Sequence, residues 1–273
     1  MYLGVDIGGT KTLVACLNEH GVIKERVKFP TPQVYGVFLR ELAKVVANFS
    51  TGKFVAAGVA APGKIDRTRG IAMAFGNLPW KDVPLKADIE RMVRCPVVVE
   101  NDANLAGLSE AMLVKDRYNK VLYVTISTGI GTGIIVDQRI DPAFADSEGG
   151  HMILEHHSTM QRWQDFASGK AIVKRFGKRA HDITDEKTWH TIAHDMALGL
   201  IELVAVVQPE VIILGGGVGR YFDHYRSYLE LELGKYENPL VPIPPLQAAA
   251  RPDDAVVYGC YDLAESVYGS ARS

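Results

Sequence analysis

Three glycine-bearing turns and one acidic junction hold the residues of this sequence that could do chemistry. The first turn is Asp6-Ile7-Gly8-Gly9-Thr10-Lys11, between two β-rich runs. Glycines let backbone amides approach an anion closely, and Thr10 and Lys11 add donors, so the turn reads as a phosphate clamp. Asp6, at the end of a buried strand, is placed to hold a magnesium ion through water, because magnesium keeps several waters and takes only one or two carboxylates beside substrate phosphates. An ordinary hairpin with a solvated Asp competes with that account. The second turn runs from Thr125 to Gly133, with glycines at 129, 131 and 133 and hydroxyls around them. Alternating glycines weaken a strand unless something must approach the backbone, which makes Thr128, Gly129 and Gly131 candidates for a second phosphate-facing turn. The third, Gly215-Gly216-Gly217-Val218-Gly219, links a β-branched run to a helix. That suits phosphate or the edge of a nucleotide at a helix N-terminus, and equally a generic strand-to-helix turn.

The acidic junction follows Val97-Val98-Val99, which delivers Glu100-Asn101-Asp102 to the start of a helix. A carboxylate beside an amide can orient a sugar hydroxyl and accept its proton, which is what alcohol phosphorylation asks of a protein beyond charge neutralisation. The plainer alternative is an N-cap, a role that either Asn101 or Asp102 could fill. Glu148-Gly149-Gly150-His151 is a further polar cluster suited to hydrogen-bonding vicinal hydroxyls. His190 and His194 have metal-pair spacing but no third ligand nearby, and read as a surface helix; Arg175, Lys178 and Arg179 read as a solvated basic face. Residues Gly58 to Lys64 match the first seven positions of a P-loop and fail at the eighth, where Ile65 replaces the magnesium-binding hydroxyl. Pro62 also removes an amide that would cradle phosphate, and no helix is expected to follow.

These turns must be held by strands and helices, and the patterning supplies them. Residues 2–6, 12–17 and 22–29 read as three antiparallel strands, and Phe38, Leu42, Val45 and Phe49 recur at helical spacing over about 34–49. A strand at 54–61, a loop-rich stretch, the strand at 97–99 and a helix bearing Leu105, Leu108 and Met112 complete a first half. From Lys120 the pattern returns: a strand at 121–126, a glycine turn, and a strand at 134–136. A long helix carrying Ile192, Met196, Leu200, Leu203 and Val207 follows, then a strand at 211–214 and another helix. A final helix places Val256, Cys260, Leu263 and Val267 on one face, expected to pack against a sheet. The expected division is an N-terminal lobe at 1–118, with the helix at 255–273 packing back on it, and a C-terminal lobe at 119–254.

The bulk composition narrows the partners. With 273 residues, 47% hydrophobic and 23% charged, the chain has globular composition and can bury two cores. A formal net charge of -2 supplies no field for nucleic acid or anionic lipid, so a small molecule is the expected partner. Cys16, Cys95 and Cys260 lie far apart without metal-ligand spacing, which suggests free thiols and a cytoplasmic setting. No leader pattern opens the sequence and no uninterrupted apolar run reaches membrane-spanning length, so no membrane partner is expected.

Taken in order, Asp6 to Lys11, Ala61-Pro62-Gly63, Asn77-Leu78-Pro79-Trp80, Glu100 to Asn104, Thr128 to Gly133, Glu148 to His151, Ala167-Ser168-Gly169 and Gly215 to Gly217 resemble the ROK family of sugar kinases and repressors. The resemblance implies an α/β chain with the duplicated actin-like, ribonuclease H-like fold: two lobes with a central cleft that close on nucleotide and sugar. It implies Asp102 as catalytic base, and Gly63, Asn77, Asn101, Asp102, Glu148, His151 and Gln164 at the sugar. Asp6, Gly8, Gly9, Thr10, Lys11, Thr128, Gly129, Gly131, Gly215, Gly216 and Gly217 would face ATP and magnesium. A homodimer is a family expectation, and repressor members carry a DNA-reading domain ahead of the body for which residue 6 leaves no expected room.

Two departures qualify the resemblance. Most members hold a structural zinc with a cysteine cluster between the E-x-G-H and A-S-G motifs, whereas this chain has His156-His157-Ser158-Thr159-Met160-Gln161-Arg162-Trp163, so no structural zinc is expected. The family glutamate three residues before A-S-G aligns with Gln164, which hydrogen-bonds without charge. The leading expectation is an ATP-dependent hexose kinase, glucokinase- or hexokinase-like, acting on a hexose or N-acetylhexosamine. The alternatives are a polyphosphate-dependent glucokinase, for which Lys11, Lys64 and Arg67 could serve the donor, and a non-catalytic sugar-binding sensor.

Overall fold

The computed structural model describes residues 1–269 and consists of two compact units, Met1–Ser109 with Asp253 onward, and Glu110–Pro252. The first begins with β1 (Tyr2–Ile7), β2 (Lys11–Leu17) and β3 (Ile23–Pro30), joined as antiparallel neighbours. The helix α1 (Tyr35–Ala47) follows, burying Phe38 and Leu42 completely, and β4 (Ala56–Ala61) then pairs in parallel with β1. Strand β4 is buried at every position, as expected of a central strand covered on both faces.

The stretch read from sequence as loop folds instead into a three-stranded sheet of β5 (Lys64–Asp66), β6 (Ile71–Ala74) and β7 (Lys81–Val83), and then α2 (Leu85–Val93). Its strands are three or four residues long, too short to show periodicity among so many Gly, Pro and Asn residues. Parallel to β4 runs β8 (Val97–Asn101), which feeds α3 (Asp102–Val114).

The second unit repeats the plan. Strands β9 (Lys120–Ile126), β10 (Ile130–Val136) and β11 (Arg139–Ile140) are antiparallel neighbours. The expected turn over Ser127 to Gly133 is shorter than its glycines suggest: Gly131 and Gly133 lie inside β10, paired with Thr125 and Tyr123. There follow β12 (Ile153–His156), β13 (Thr159–Arg162), α4 (Trp163–Ala167), α5 (Gly169–Phe176) and the long α6 (Glu186–Val207). Strand β14 (Val211–Gly215) is parallel to β9, and α7 (Gly216–Gly219), α8 (Phe222–Gly234) and β15 (Leu246–Ala248) complete the unit. The two five-stranded sheets, ordered β3-β2-β1-β4-β8 and β11-β10-β9-β14-β15, share one topology and one pattern of parallel and antiparallel neighbours. Helix α6 is long and apolar enough to cross a membrane by length and composition, yet Trp189, Ile192, Met196, Leu200 and Val204 are buried in the core of this unit.

The last helix, α9 (Ala255–Tyr268), belongs to the first unit; residues 270–273 of the expected 255–273 helix lie outside the described residues. It packs on β1 and β4 as expected, but of the expected apolar stripe only Cys260 is fully buried, and small residues share the contact with it. Val257, Gly259, Cys260 and Ala264 are buried, whereas Val267 is 52% exposed. Small residues win because the helix lies almost on the backbone. A Cβ at Gly58 would stand 2.1 Å from the Cys260 carbonyl oxygen, and one at Gly259 would stand 1.9 Å from that of Leu105. Burial of side-chain bulk cannot compete where backbones meet at this distance.

Candidate active site

In the first unit the candidate residues gather at the C-terminal ends of β1, β4 and β8. The turn after β1 is closed by the Gly8 amide donating to the Lys11 carbonyl at 3.0 Å. It is braced by Thr31, whose Oγ1 donates to the Gly8 carbonyl at 2.7 Å and meets the buried Thr12 hydroxyl at 2.9 Å. A Cβ at Gly9 would lie 2.6 Å from the Cβ of Asn77, so glycine here lets Asn77 stand directly over the turn. Thr10 and Lys11 are exposed. Gly63 has φ +98, and a Cβ there would strike the Ala74 carbonyl at 2.2 Å, so only glycine fits. The carbonyl of Gly63 accepts from Asn101 Nδ2 at 3.4 Å, which brings two predicted sugar-facing positions together.

The β8-to-α3 junction resolves which residue caps the helix. Asn101 Oδ1 accepts from the amides of Ala103 at 2.8 Å and Asn104 at 3.3 Å, the N-cap arrangement. Asp102 adds only its Oδ1, at 2.9 Å from the Ala103 amide. Burial pushes the Asp102 carboxyl above the usual range, against the pull of its backbone hydrogen bonds. Asp6 is pushed up to about 7, first by burial, then by the negative charge of Asp102, with Lys28 pulling the other way. A buried carboxylate whose proton affinity is raised further by a second carboxylate is the donor chemistry a hard divalent cation relieves.

Glu100 is the residue that sequence reasoning left without a role. It is buried and takes both Nε and Nη2 of Arg67 at 2.6 Å. It also accepts from the Asn101 amide at 2.7 Å and from Asn104 Nδ2 at 3.0 Å. Glu100 therefore fixes the junction from beneath, and Arg67, considered from sequence for a phosphate donor, is committed to it. The signal was present in the acidic residue that ends an apolar strand.

In the second unit, Gln164 meets two other candidates: its Nε2 lies 3.2 Å from Nε2 of His151, and a Cβ at Gly129 would come within 2.8 Å of its Oε1. Glu148 and His151 are exposed and flank Gly149 and Gly150, which are packed against Thr132 and the Ile130 carbonyl. The Gly149 amide donates to the buried Thr132 hydroxyl at 3.1 Å, which ties this loop to β10. Of the third turn, Gly215 lies against Tyr123 and Gly216, at φ +79, against Thr125 Oγ1, while Gly217 has open space where a Cβ would be.

Gly217 opens onto a cavity of about 750 Å³ that joins the second and third turns. Ser127 and Thr128 line it with Val218 and Tyr221, and Lys170, Lys174 and Arg179 bring three cations to it. Gly215, Gly216 and Gly131 are not among its lining residues. A mostly apolar cavity with convergent polar groups is the form a nucleotide or similar ligand takes up. The three cations were missed because they sit on α5 and the loop after it, where their spacing looks like that of any solvated helix; Arg179 in particular is not a bystander. Arg175, of the same run, turns the other way and bonds Asp195 at 2.6 Å. His190 and His194 both approach the buried Glu232, at 3.4 and 2.9 Å, with Lys235 at 2.7 Å. Among the described residues no group of three or more His, Cys, Asp or Glu could hold a metal ion in this way.

With this geometry in hand, the relatives are informative. The chain is 28% identical to a glucokinase of Streptomyces coelicolor over 96% of each chain. A ROK family glucokinase from Streptomyces griseus, solved with glucose and AMPPNP, superposes with TM-score 0.82 at 26% identity, covering 97% of this chain and 99% of that one. An inorganic polyphosphate/ATP-glucomannokinase from Arthrobacter sp. strain KM superposes with TM-score 0.74 at 26% identity, covering 95% and 96%. The fold is that of the actin-like ATPase sugar kinases. The model of the ROK family matches residues 2–267, and the chain belongs to that family.

Proposed function

We propose that this protein is a sugar kinase that transfers the terminal phosphoryl group of Mg-ATP to a hydroxyl of a hexose or N-acetylhexosamine. The observation that carries the reading is the β8-to-α3 junction: Asn101 does the capping, and Asp102 is a carboxylate of raised proton affinity with Oδ2 outside the cap. Asp102 takes the proton as the sugar oxygen bonds to the terminal phosphorus and the bond from that phosphorus to the bridging oxygen breaks, leaving ADP. Gly63, Asn77, Asn101, Glu148, His151 and Gln164 hold and orient the sugar. Asp6 would hold magnesium through water, and the cation would supply neutralisation of phosphate charge. The amides of Gly8, Gly9 and Gly129, with Thr10, Lys11 and Thr128, face the phosphates, and the cavity beside Gly217 receives the adenosine.

Polyphosphate as donor is a second reading, supported by Lys170, Lys174 and Arg179 at the cavity and by the relative that uses both donors. One experiment addresses donor and acceptor together. Purified protein is assayed with glucose, mannose, fructose, N-acetylglucosamine and N-acetylmannosamine, with magnesium and either ATP or polyphosphate, beside Asp102→Asn. The variant is expected to lose about 10²- to 10⁴-fold in kcat while still binding sugar. A protein that turns over no sugar with either donor, but melts at a higher temperature with one of them, is a sensor and not a kinase.

A further inference from the structure

The chain between His151 and Gln164 is a hairpin whose register decides where those two side chains meet. Strands β12 and β13 pair Ile153 with Arg162, Leu154 with Gln161, Glu155 with Met160 and His156 with Thr159. Carried two steps further, the same register sets Met152 opposite Trp163 and His151 opposite Gln164. Both steps are observed: the Trp163 amide donates to the Met152 carbonyl at 2.9 Å, and the His151 and Gln164 side chains meet at 3.2 Å. The turn is the two-residue kind, His157-Ser158, with both φ values left-handed at 50 and 61. A slip of one residue at that turn would move Gln164 off His151.

Both ends of the hairpin are fastened to one residue of α6. At the tip, His156 is buried, its ring stacked on Phe166 with centroids 4.1 Å apart, and its Nε2 lies 3.1 Å from Asp195 Oδ1. At the base, the Trp163 indole donates to the Asp195 carbonyl at 3.2 Å, with its ring flat over Gly199, where a Cβ would lie 2.1 Å away. Arg175 of α5 donates to Asp195 Oδ2 at 2.6 Å, so the buried carboxylate is charge-paired and cannot turn. The family's zinc does not fit here: the three cysteines are buried in the other unit, and the segment from Met152 to Phe166 contains none.

We propose that Asp195, held by Arg175 and reaching the hairpin through His156 and Trp163, is the positioning centre that keeps His151 and Gln164 in register for the sugar. This rests on the sugar-kinase reading above. In the full-length protein, His156→Ala is expected to raise the KM for the accepted sugar about 10-fold, with the donor KM and kcat moving by less than about threefold. His156→Gln, whose Nε2 can take the place of the imidazole Nε2, is expected to restore most of the loss. Hydrogen exchange at the Trp163 amide should quicken in the Ala variant and recover in the Gln variant. If His156→Ala does not fold, Asp195→Asn is read by the same split between sugar and donor KM. An unchanged sugar KM in a folded variant overturns the proposal, and so does an equal rise in both KM values without recovery by Gln. A wild-type protein that phosphorylates no sugar overturns the underlying reading instead, an outcome that normal sugar kinetics in the variants cannot imitate.

Discussion

The two units place different chemistry on the same strand ends. Asp6 is paired across β1 with Leu13 and Ala60; its topological counterpart on β9 is Thr125, paired with Gly131 and Gly215. The next residue is isoleucine in both, and a tight turn follows. One unit thus ends its first strand in a carboxylate that faces a second carboxylate, and the other ends it in a hydroxyl beside glycines, with a cavity reached by three cations in the same unit. A duplicated scaffold fixes where groups can be placed, and the identity of a few side chains decides whether the place suits a cation or an anion.

The comparison breaks most sharply at Asp6. Asp6→Asn keeps the shape of the strand end and removes the charge proposed to hold magnesium. Turnover is expected to fall about 10- to 100-fold, with more magnesium needed for half-maximal rate, as for an outer-shell ligand. Thr125→Val, the counterpart change, should leave the magnesium dependence where it is. Equal magnesium curves for Asp6→Asn and wild type would remove Asp6 from the metal's surroundings.

A pH titration sharpens the same contrast through stability. The folded-state value for Asp6, about 7, lies above its ordinary 3.8, so the folded protein binds this proton more tightly than the unfolded chain. The resulting stability is fully present below about pH 4 and is lost as pH rises through about 7. Denaturant midpoints of wild type and Asp6→Asn at pH 5 and pH 8 should show the wild type losing more over that interval. Magnesium should reduce the loss, since a bound cation favours the ionised pair. Parallel profiles would mean that Asp6 titrates normally.

Much of this arrangement could be read from the sequence, for identifiable reasons. The five strands of the first sheet, β9, β10 and β14 of the second, and α1, α3 and α6 show clean period or apolar runs, whereas β11 and β15, two and three residues long, do not; the repeat from Lys120 exposes the duplication. What was hidden depends on contacts between distant residues. His156 and Asp195 are 39 positions apart, and Arg67 and Glu100 are 33 apart, so neither partnership leaves a local mark. Helix α9 packs on its sheet as its apolar spacing implies, but the sequence does not show how close it comes: the backbones of Gly58 and Cys260 nearly touch, so small residues rather than large ones fill the contact. Lys170 and Lys174 are exposed and leave no mark in the sequence; only the cavity beside Gly217 distinguishes them from other surface lysines.

Those cations offer the smallest effect and the most direct test of the basic side of the comparison. Lys170, Lys174 and Arg179 reach the cavity as exposed side chains, so each contact with a donor phosphate is solvent-screened and contributes about 0.2 to 1 kcal/mol. Lys174→Ala and Arg179→Ala are each expected to raise the donor KM by about two- to fivefold, leaving the sugar KM unchanged. The increase should shrink as salt is raised, because screening at about 0.15 M ionic strength already acts over about 8 Å. A chain of phosphates carries more charge past the rim than one nucleotide does, so a polyphosphate donor should suffer the larger rise if it is used. If both variants keep the wild-type donor KM at low salt, the cavity beside Gly217 does not receive the donor, and the two halves of the molecule differ less in function than their charges imply.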